Sequence, residues 1–266
     1  MLKNKKSLGQ HWLKDREILL KIASDASFGG DLTSSENDCS SRVALEIGPG
    51  LGTLTSALFR HFEKIVAVEF DAALAAKLPL QFPGKDLTVF NEDFLQFDLS
   101  SLPAGYIAVG NIPYYITAKI VRKLLTAENR PSRIVLLVQK EVAERMVACE
   151  SLLGLSVAVY ADARLGLKVG KEYFTPPPKV DSQVVILDVL REPRVSAYDL
   201  ERFWKMAHAG FSAPRKKLAG NLAGFFNVDK NAMREVLASI GVSPDARAED
   251  LSLVNWMDLL DFSLVS

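Results

Sequence analysis

A polar and aromatic stretch follows an apolar run near the middle of the chain, where residues 109–117 read V-G-N-I-P-Y-Y-I-T. The residues before it are β-prone and Pro113 cannot donate to a sheet ladder, so a strand is predicted to end near Asn111. In an open α/β sheet the carboxyl ends of the strands bind ligands. The stretch therefore offers a ligand an amide, a backbone carbonyl and the ring of Tyr114, although Asn and Pro are also common in plain turns.

Three glycines follow the first predicted strand of the sheet, in the sequence Glu46-Ile-Gly-Pro-Gly-Leu-Gly52. Gly48, Gly50 and Gly52 allow the backbone to turn sharply and to approach a ligand without a collision at Cβ. The G-x-G-x-G spacing is shorter by one residue than the G-x-G-x-x-G of dinucleotide oxidoreductases. It therefore favours a ligand that lacks a pyrophosphate.

Acidic residues follow the next two predicted strands, Glu69 at the end of the second and Asp93 after the third. A carboxylate at the end of the second strand accepts hydrogen bonds from ribose hydroxyls in nucleotide sites. Asp93 can accept from an adenine amino group, while Phe94 covers a ring face. Taken singly, the acids also suit a helix start or a cap and the glycines a turn. Their order at successive strand ends favours a nucleoside site.

This ordered set resembles the class I methyltransferases that use S-adenosylmethionine, and N-I-P-Y resembles the Asn/Asp-Pro-Pro-Tyr motif of those that methylate a planar amino nitrogen. The lone pair of such a nitrogen is delocalised into its ring, so the nitrogen attacks a methyl sulfonium poorly. Asn111 Oδ1 and the Ile112 carbonyl are predicted to accept its two hydrogens and to stabilise the positive charge that develops. Pro113 then holds the carbonyl in place, and Tyr114 stacks on the base.

Three further stretches narrow the resemblance: S-L-G-Q-H-W-L at 7–13, K-E-Y-F-T-P-P-P-K-V-D-S at 171–182 and F-S-A-P-R-K-K-L-A-G-N-L at 211–222. From about Lys3 to Leu260 the chain resembles the small-subunit ribosomal RNA adenine N6,N6-dimethyltransferases. That resemblance implies that S-adenosylmethionine donates two methyl groups to each of two adjacent adenosines, in a hairpin loop near the 3′ end of the rRNA.

The resemblance also implies a role for each matching residue. The cofactor-binding residues that it predicts are His11, Leu13, Gly48, Gly50, Glu69, Asp93 and Asn111. The catalytic residues that it predicts are Asn111, Ile112, Pro113, Tyr114 and Phe174. Phe174 and Tyr114 would sandwich a base that has left its stack. His11 also suits a capping or packing role, and Phe174 also suits a place in the core.

Two stretches depart from the family's usual pattern. Where the arm often reads Gln-Asn-Phe, this chain has Gln10-His11-Trp12, which keeps a polar group and an aromatic ring but changes their size. Where the family often has Tyr-Gly-x-Leu-Ser-Val, residues 152–157 read L-L-G-L-S-V.

The elements that position these residues are predicted from periodicity and turn signals. The predicted strands are 43–47, 65–69, 87–90, 107–109, 134–138, 167–174 and 182–190. The predicted helices are 15–26, 54–62, 72–80, 118–125, 142–148, 200–209, 216–224, 231–240 and 250–262. No internal repeat is present.

Alternation of strand and helix implies right-handed crossovers and a parallel sheet. The predicted fold class is α/β, with a doubly wound, mostly parallel, seven-stranded methyltransferase sheet, an antiparallel edge strand and a small C-terminal all-helical domain. Residues 1–41 are predicted to form a basic arm and helix that close over the donor site. Residues 42–191 form the Rossmann-like catalytic domain that binds S-adenosylmethionine, and residues 192–266 form a helical RNA-binding domain.

Charge and composition limit the partners. Lys plus Arg number 32, as do Asp plus Glu, so RNA binding must use local patches. The predicted RNA-binding residues are Lys5, Lys6, Arg215, Lys216 and Lys217. The two cysteines lack metal spacing and no apolar run is long enough for a membrane span, so we expect a cytoplasmic protein without a metal site or a membrane partner. It should act as a monomer on small-subunit rRNA, within a 30S-like pre-ribosomal particle.

Two other functions remain open at this point. A resistance-type methyltransferase acting on large-subunit rRNA shares N-I-P-Y but commonly has less of the T-P-P-P-K-V-D-S pattern found at 175–182. A ribosome-assembly or transcription factor would keep the fold without turnover. The intact set of Gly48, Glu69, Asp93 and Asn111 favours a chain that still binds the donor.

Overall fold

The computed structural model describes residues 10–27 and 43–262, which contain two sheets. The strands are β1 (Trp12–Leu13), β2 (Val43–Ile47), β3 (Lys64–Val68), β4 (Asp86–Phe90), β5 (Ile107–Asn111), β6 (Arg133–Gln139), β7 (Ala161–Val169), β8 (Phe174–Thr175) and β9 (Ser182–Val189). Seven of them form one sheet in the order β4-β3-β2-β5-β6-β9-β7, and β1 pairs with β8.

The centre of the large sheet is apolar on both faces. Strands β4, β3, β2, β5 and β6 are parallel to one another. Nearly every side chain of β2, β3, β5 and β6 is buried, as expected for parallel strands that are covered on both sides. Because these strands are parallel, the motif residues that follow them reach the same edge of the sheet. Strand β5 ends at Asn111, as predicted from Pro113.

Strand β9 runs antiparallel to β6, with pairs from Arg133↔Asp188 to Gln139↔Ser182. The predicted α/β fold class is therefore confirmed, with one correction of position. The antiparallel strand is not the edge strand, because β7 lies outside it. The first six residues of β9 are buried, which suits a strand with neighbours on both sides, whereas most of β7 is exposed or half-buried and suits an edge.

Helices alternate with the strands and then continue alone. They are α1 (Arg16–Ala26), α2 (Thr53–Leu58), α3 (Ala72–Lys77), α4 (Thr117–Thr126), α5 (Lys140–Ala148), α6 (Leu152–Tyr160), α7 (Leu200–Gly210), α8 (Leu218–Phe226), α9 (Lys230–Ser239) and α10 (Leu253–Phe262). Sequence periodicity missed α6, because its apolar residues show no polar face. The strand predicted at 167–174 begins earlier, at Ala161, and ends at Val169.

The chain divides into two compact units. The first contains the residues up to Glu144 together with Asp162–Val189, and so holds most of the large sheet. The second contains Arg145–Ala161 and the residues from Leu190 onward, with a core of buried side chains such as Phe203 and Trp256. The predicted break after residue 191 lies close to the second division, but residues 145–161 were predicted with the catalytic domain. No helix in 10–27 or 43–262 is long and apolar enough to cross a membrane.

Pairing of β1 with β8 fixes the arm beside the first unit's sheet. Trp12 pairs with Thr175 and Leu13 with Phe174. Helix α1 follows, capped by Asp15, whose carboxylate accepts from the Ile18 N–H at 3.0 Å. Strands of two residues carry no periodicity, so the sequence did not predict this pairing.

Candidate active site

A cavity of about 360 Å³ lies at the carboxyl ends of β2, β3, β4 and β5, where open α/β sheets bind their ligands. We call it the sheet-edge cavity. Its wall includes the segments 10–13, 46–51, 68–70, 92–95 and 111–116, with Lys119 and Ile120 from α4. It gathers all the residues predicted to bind the cofactor, namely His11, Leu13, Gly48, Gly50, Glu69, Asp93 and Asn111.

The glycine turn follows β2 and forms part of the cavity wall. Gly48, Gly50 and Gly52 have φ angles of +67°, +59° and +79°, in the left-handed region that favours glycine. A Cβ on Gly52 would also lie 2.7 Å from Leu78 Cδ1. The Gly48 N–H donates to the Val68 carbonyl at 2.9 Å, which ties the turn to β3.

Glu69 is held by backbone donors on both carboxylate oxygens. The Gly50 N–H donates to Oε2 at 3.0 Å and the Asp71 N–H donates to Oε1 at 2.8 Å. Burial raises the pKa of Glu69, and these N–H groups oppose that rise. Each oxygen keeps a second lone pair, so the carboxylate can accept further hydrogen bonds from a ligand in the cavity.

Asp93 lies in the loop after β4, and α4 anchors that loop. Asp93 Oδ1 accepts from the Leu95 N–H at 2.9 Å, which leaves Oδ2 as a further acceptor. Lys123 Nζ donates to the carbonyls of Leu95 and Phe97, at 2.9 and 2.6 Å. The same ammonium lies 5.6 Å from the centre of the Phe94 ring. The loop with Asp93 is therefore fixed to the helix that follows the N-I-P-Y segment.

Asn111 connects the arm to the end of β5. Its Nδ2 donates to the His11 carbonyl at 3.0 Å. Because a carbonyl oxygen only accepts, this bond assigns the amide nitrogen and leaves Oδ1 as the acceptor. Asn111, Ile112 and Pro113 all line the sheet-edge cavity. The amide is thus oriented before any substrate arrives.

Tyr114 lies between the arm and the large sheet. Its ring stacks on the His11 ring, with centroids 6.1 Å apart and planes inclined by 17°. Tyr114 Oη and Ser182 Oγ are 2.6 Å apart, and burial raises the pKa of the phenol. His11 Nδ1 lies 2.8 Å from the Pro176 carbonyl and therefore carries the proton. The next residue, Tyr115, is 67% exposed and also lines the cavity.

Phe174 is the catalytic candidate that the structure does not bring to the cavity. It is 3% exposed and belongs to the hydrophobic core of the first unit, which also contains Leu13 and Val184. In this conformation it occupies the core position that the sequence left open as an alternative. Stacking on a target base would require its ring to become accessible.

Glu46 and Trp12 are among the residues of the cavity wall to which the sequence gave no role. Glu46 is 1% exposed, Thr55 Oγ1 donates to its Oε2 at 2.6 Å, and Oε1 is buried without a hydrogen-bond partner among the described residues. Burial, with a smaller contribution from the charge of Glu69, raises the pKa of Glu46 to about 8. Trp12 also lines the cavity. For Glu46 a signal existed, since it lies two residues before the first glycine of the turn.

The predicted RNA-binding residues fall into two groups. Lys5 and Lys6 lie outside the described residues. Arg215, Lys216 and Lys217 are exposed between α7 and α8 of the second unit, and Lys217 Nζ donates to Asp245 Oδ1 at 2.7 Å.

Comparison with known sequences gives matches along nearly the whole chain. A sequence model of the family described as "Ribosomal RNA adenine dimethylase" matches residues 1–263. A "Ribosomal RNA small subunit methyltransferase A" of Dehalococcoides mccartyi is 35% identical over 262 residues, covering 96% of this chain and 87% of that protein. The protein of the same name from Macrococcus caseolyticus is 36% identical over 273 aligned positions, covering 97% and 89%.

Two solved structures also match this chain along nearly its whole length. The 23S rRNA methyltransferase ErmE has a TM-score of 0.75 and 27% identity, covering 96% of this chain and 100% of that one. A dimethyladenosine transferase of Plasmodium falciparum has a TM-score of 0.74 and 25% identity, covering 96% and 98%. Both structures therefore share the fold of this chain over nearly its whole length.

Proposed function

Because the chain belongs to the ribosomal RNA adenine dimethylase family, we propose that it methylates N6 of two adjacent adenosines in the 3′-terminal hairpin loop of small-subunit rRNA. S-Adenosylmethionine is the methyl donor, and each adenosine becomes N6,N6-dimethyladenosine. The relatives named as small-subunit methyltransferases support this substrate, as does the stretch T-P-P-P-K-V-D-S at 175–182. We expect the protein to act as a cytoplasmic monomer on a 30S-like particle.

The observation that carries the proposal is the convergence of the donor residues and Asn111 on one cavity. The residues fit a cationic nucleoside donor, because three acidic residues, Glu46, Glu69 and Asp93, line the cavity. Glu46 Oε1 is buried without a partner among the described residues, and once the carboxyl group is ionised this oxygen would accept from a ligand's ammonium, whose charge favours that ionisation. Glu69 would hold the ribose hydroxyls and Asp93 the adenine amino group.

Asn111 and Ile112 would activate the target nitrogen. When bound, the donor supplies a methyl group on a cationic sulfur. Asn111 Oδ1 and the Ile112 carbonyl would accept the two amino hydrogens, which favours a tetrahedral nitrogen and stabilises its developing positive charge. The hydrogen bond from Asn111 Nδ2 to the His11 carbonyl pre-orients this acceptor. Each transfer exchanges one N–H for N–CH₃ and releases one proton, so two transfers complete the product.

Tyr114 would supply a stacking surface for the extruded base, since it lines the cavity beside Asn111. Phe174 as the opposite surface stays a prediction, because its ring is buried. Arg215, Lys216 and Lys217 would meet RNA phosphates from the second unit.

The test is methyl transfer to 30S-like particles that lack methylation at the two adenosines. The protein and labelled S-adenosylmethionine are incubated with these particles, and the methylated adenosines are mapped by mass spectrometry. We expect two dimethyladenosines in the 3′-terminal hairpin. Naked rRNA in a parallel reaction shows whether the particle is needed, and Asn111→Ala controls for contaminating activity.

Large-subunit rRNA is the second candidate substrate, and the structural match to ErmE favours including it. Methylation confined to large-subunit RNA in a matched reaction would establish that alternative. Donor binding without transfer to either RNA would indicate a non-catalytic assembly or transcription factor.

A further inference from the structure

The indole N–H of Trp12 is a buried hydrogen-bond donor that has no partner among the described residues. The same holds for Oε1 of Glu46, and both residues line the sheet-edge cavity. Buried polar groups of native proteins are nearly always hydrogen-bonded, so such an orphan at a cavity wall indicates a group that a ligand completes. The indole N–H only donates, whereas Glu46 Oε1 accepts when the carboxyl group is ionised.

Backbone contacts hold Trp12 in place, and its ring lies against the glycine turn. Its backbone pairs with Thr175 across β1 and β8. The next carbonyl, that of Leu13, accepts from Thr53 Oγ1 at 3.0 Å. The ring edge that carries the N–H faces the glycine turn, because Cδ1 and Nε1 both lie 3.7 Å from the position of a Cβ on Gly50. The indole therefore lies beside the turn that follows β2.

The chemistry of the proposed methyl donor indicates which of its groups accepts from the Trp12 N–H. An indole nitrogen only donates, so its partner is an acceptor. In the proposed function, Glu69 holds the ribose hydroxyls and Asp93 the adenine amino group, which leaves the amino-acid end of the donor. That end carries a carboxylate, which accepts, and an ammonium, which donates; the pair complements Trp12 Nε1 and Glu46 Oε1. A hydrogen bond to a charged acceptor is also stronger than one to a neutral acceptor.

We propose that Trp12 is a donor-binding residue whose Nε1–H donates to the carboxylate of the amino-acid end of S-adenosylmethionine. The inference rests on the proposed function, since it takes this molecule as the methyl donor. A phenylalanine, which the family's arm often carries here, retains the ring but lacks the N–H.

The test compares two ligands in two proteins. Calorimetry measures the affinity of the parent and of Trp12→Phe for S-adenosylmethionine and for its decarboxylated analogue. We expect Trp12→Phe to weaken the binding of S-adenosylmethionine by roughly 10- to 100-fold, the range for a lost hydrogen bond to a charged group. Binding of the decarboxylated analogue should change by less than about twofold, which is close to no change in binding free energy. Trp204→Phe makes the same chemical change at a residue that does not line the cavity, and it should alter neither affinity.

An independent reading uses the indole N–H resonances of the three tryptophans in ¹⁵N-labelled parent protein. The Trp12 resonance should shift strongly with S-adenosylmethionine and weakly with the decarboxylated analogue. This measurement holds even if Trp12→Phe folds poorly.

Three results would overturn the inference. Unchanged affinity of Trp12→Phe for S-adenosylmethionine means that the N–H makes no bond to it. An equal loss for both ligands places the contribution in ring packing or in another ligand group. Failure of the parent to bind either ligand would remove the proposed function itself and this contact with it, whereas the first two results leave the proposed function intact.

Discussion

At the scale of single residues, Asn111 has the most specific expected effect. Its Nδ2 is occupied by the His11 carbonyl, so Oδ1 is the atom available to a target amino group. Asn111→Ala should lower the single-turnover methylation rate by about 10²- to 10³-fold, as when one preorganised polar partner is lost. Folding and RNA affinity should remain near those of the parent. Rate and melting temperature are measured on one preparation with saturating donor.

Asn129→Ala is the matched control for that variant. Asn129 Nδ2 donates to the carbonyls of Leu99 and Leu102, at 2.9 and 2.8 Å, and does not belong to the cavity wall. Its removal should lower stability by about 1 kcal/mol and leave the rate unchanged. An Asn111→Ala protein that behaves like Asn129→Ala, destabilised with a parental rate, would show that Asn111 only shapes the turn.

Glu46 should make stability depend on pH. Its pKa in the folded protein is about 8, raised by burial from 4.5. Between these values the folded state keeps a proton that the unfolded state releases, so this contribution to stability is complete below the lower pKa and is lost as the pH rises through the upper one. The slope is at most about 1.4 kcal/mol per pH unit.

The measurement is urea unfolding of the parent and of Glu46→Gln at pH 5, 6.5 and 8. Because glutamine does not titrate, the unfolding free energy of the variant minus that of the parent should increase with pH. Glu69, whose pKa is also raised by burial, is present in both proteins, so most of its own contribution cancels in the difference. A difference that stays constant across the range would contradict the assignment.

The sequence predicted that Glu69, Asp93 and Asn111 would lie close together, because parallel strands deliver their carboxyl ends to one edge of the sheet. All three line the sheet-edge cavity, as expected. The surroundings of Trp12 and Phe174 were not predicted, because they depend on a pairing between segments that are distant in sequence. Burial of that kind leaves no local periodicity.

At the scale of elements, Phe174 belongs to the short sheet of β1 and β8. We expect the protein to need this side chain for its stability. Phe174 is 3% exposed and pairs with Leu13. Phe174→Ala should lower the unfolding free energy by about 3 kcal/mol, as for other large-to-small changes in a core. The neighbouring Tyr173 is 45% exposed, so Tyr173→Ala is the control and should cost less than about 1 kcal/mol. Chemical unfolding of both variants checks this.

Phe174→Leu then separates packing from base stacking. Leucine keeps an apolar side chain in the core but removes the aromatic face. A reduced single-turnover rate with nearly parental stability would support stacking on the target base. A parental rate would leave Phe174 as a core residue only.

Helix α6 shows why one element escaped sequence reasoning. A Cβ on Gly154 would lie 2.9 Å from Cys149 Cα and would also collide with the Arg145 carbonyl, so this glycine allows α6 to pack closely on the preceding turn. Ser151 Oγ accepts from the Gly154 N–H at 3.1 Å and caps the helix. The cap was readable in the sequence, whereas the close approach is a tertiary contact that periodicity does not encode.

At the scale of the whole molecule, equal numbers of acidic and basic residues leave RNA binding to local charge. Arg215 and Lys216 are exposed, while Lys217 shares Asp245 with Arg234, at 2.7 and 3.0 Å. Lys217 is therefore already partly neutralised. Composition predicted that a patch was needed, but the ion pairs of Lys217 became visible only in the folded second unit.

RNA affinity should fall steeply with salt, because cations that meet phosphates release counterions from the RNA. Neutralising Arg215, Lys216 and Lys217 together should flatten the log–log salt slope by about two units, since Lys217 contributes less than the other two residues. Binding is measured by filter retention across a salt series.

Lys64 and Lys85, exposed at the amino ends of β3 and β4, are the matched control. Their neutralisation lowers the net charge without touching the patch, so the slope should stay parental. Equal flattening by both variants would mean that net charge governs the affinity, and an unchanged slope in the triple variant would mean that these three cations do not meet RNA.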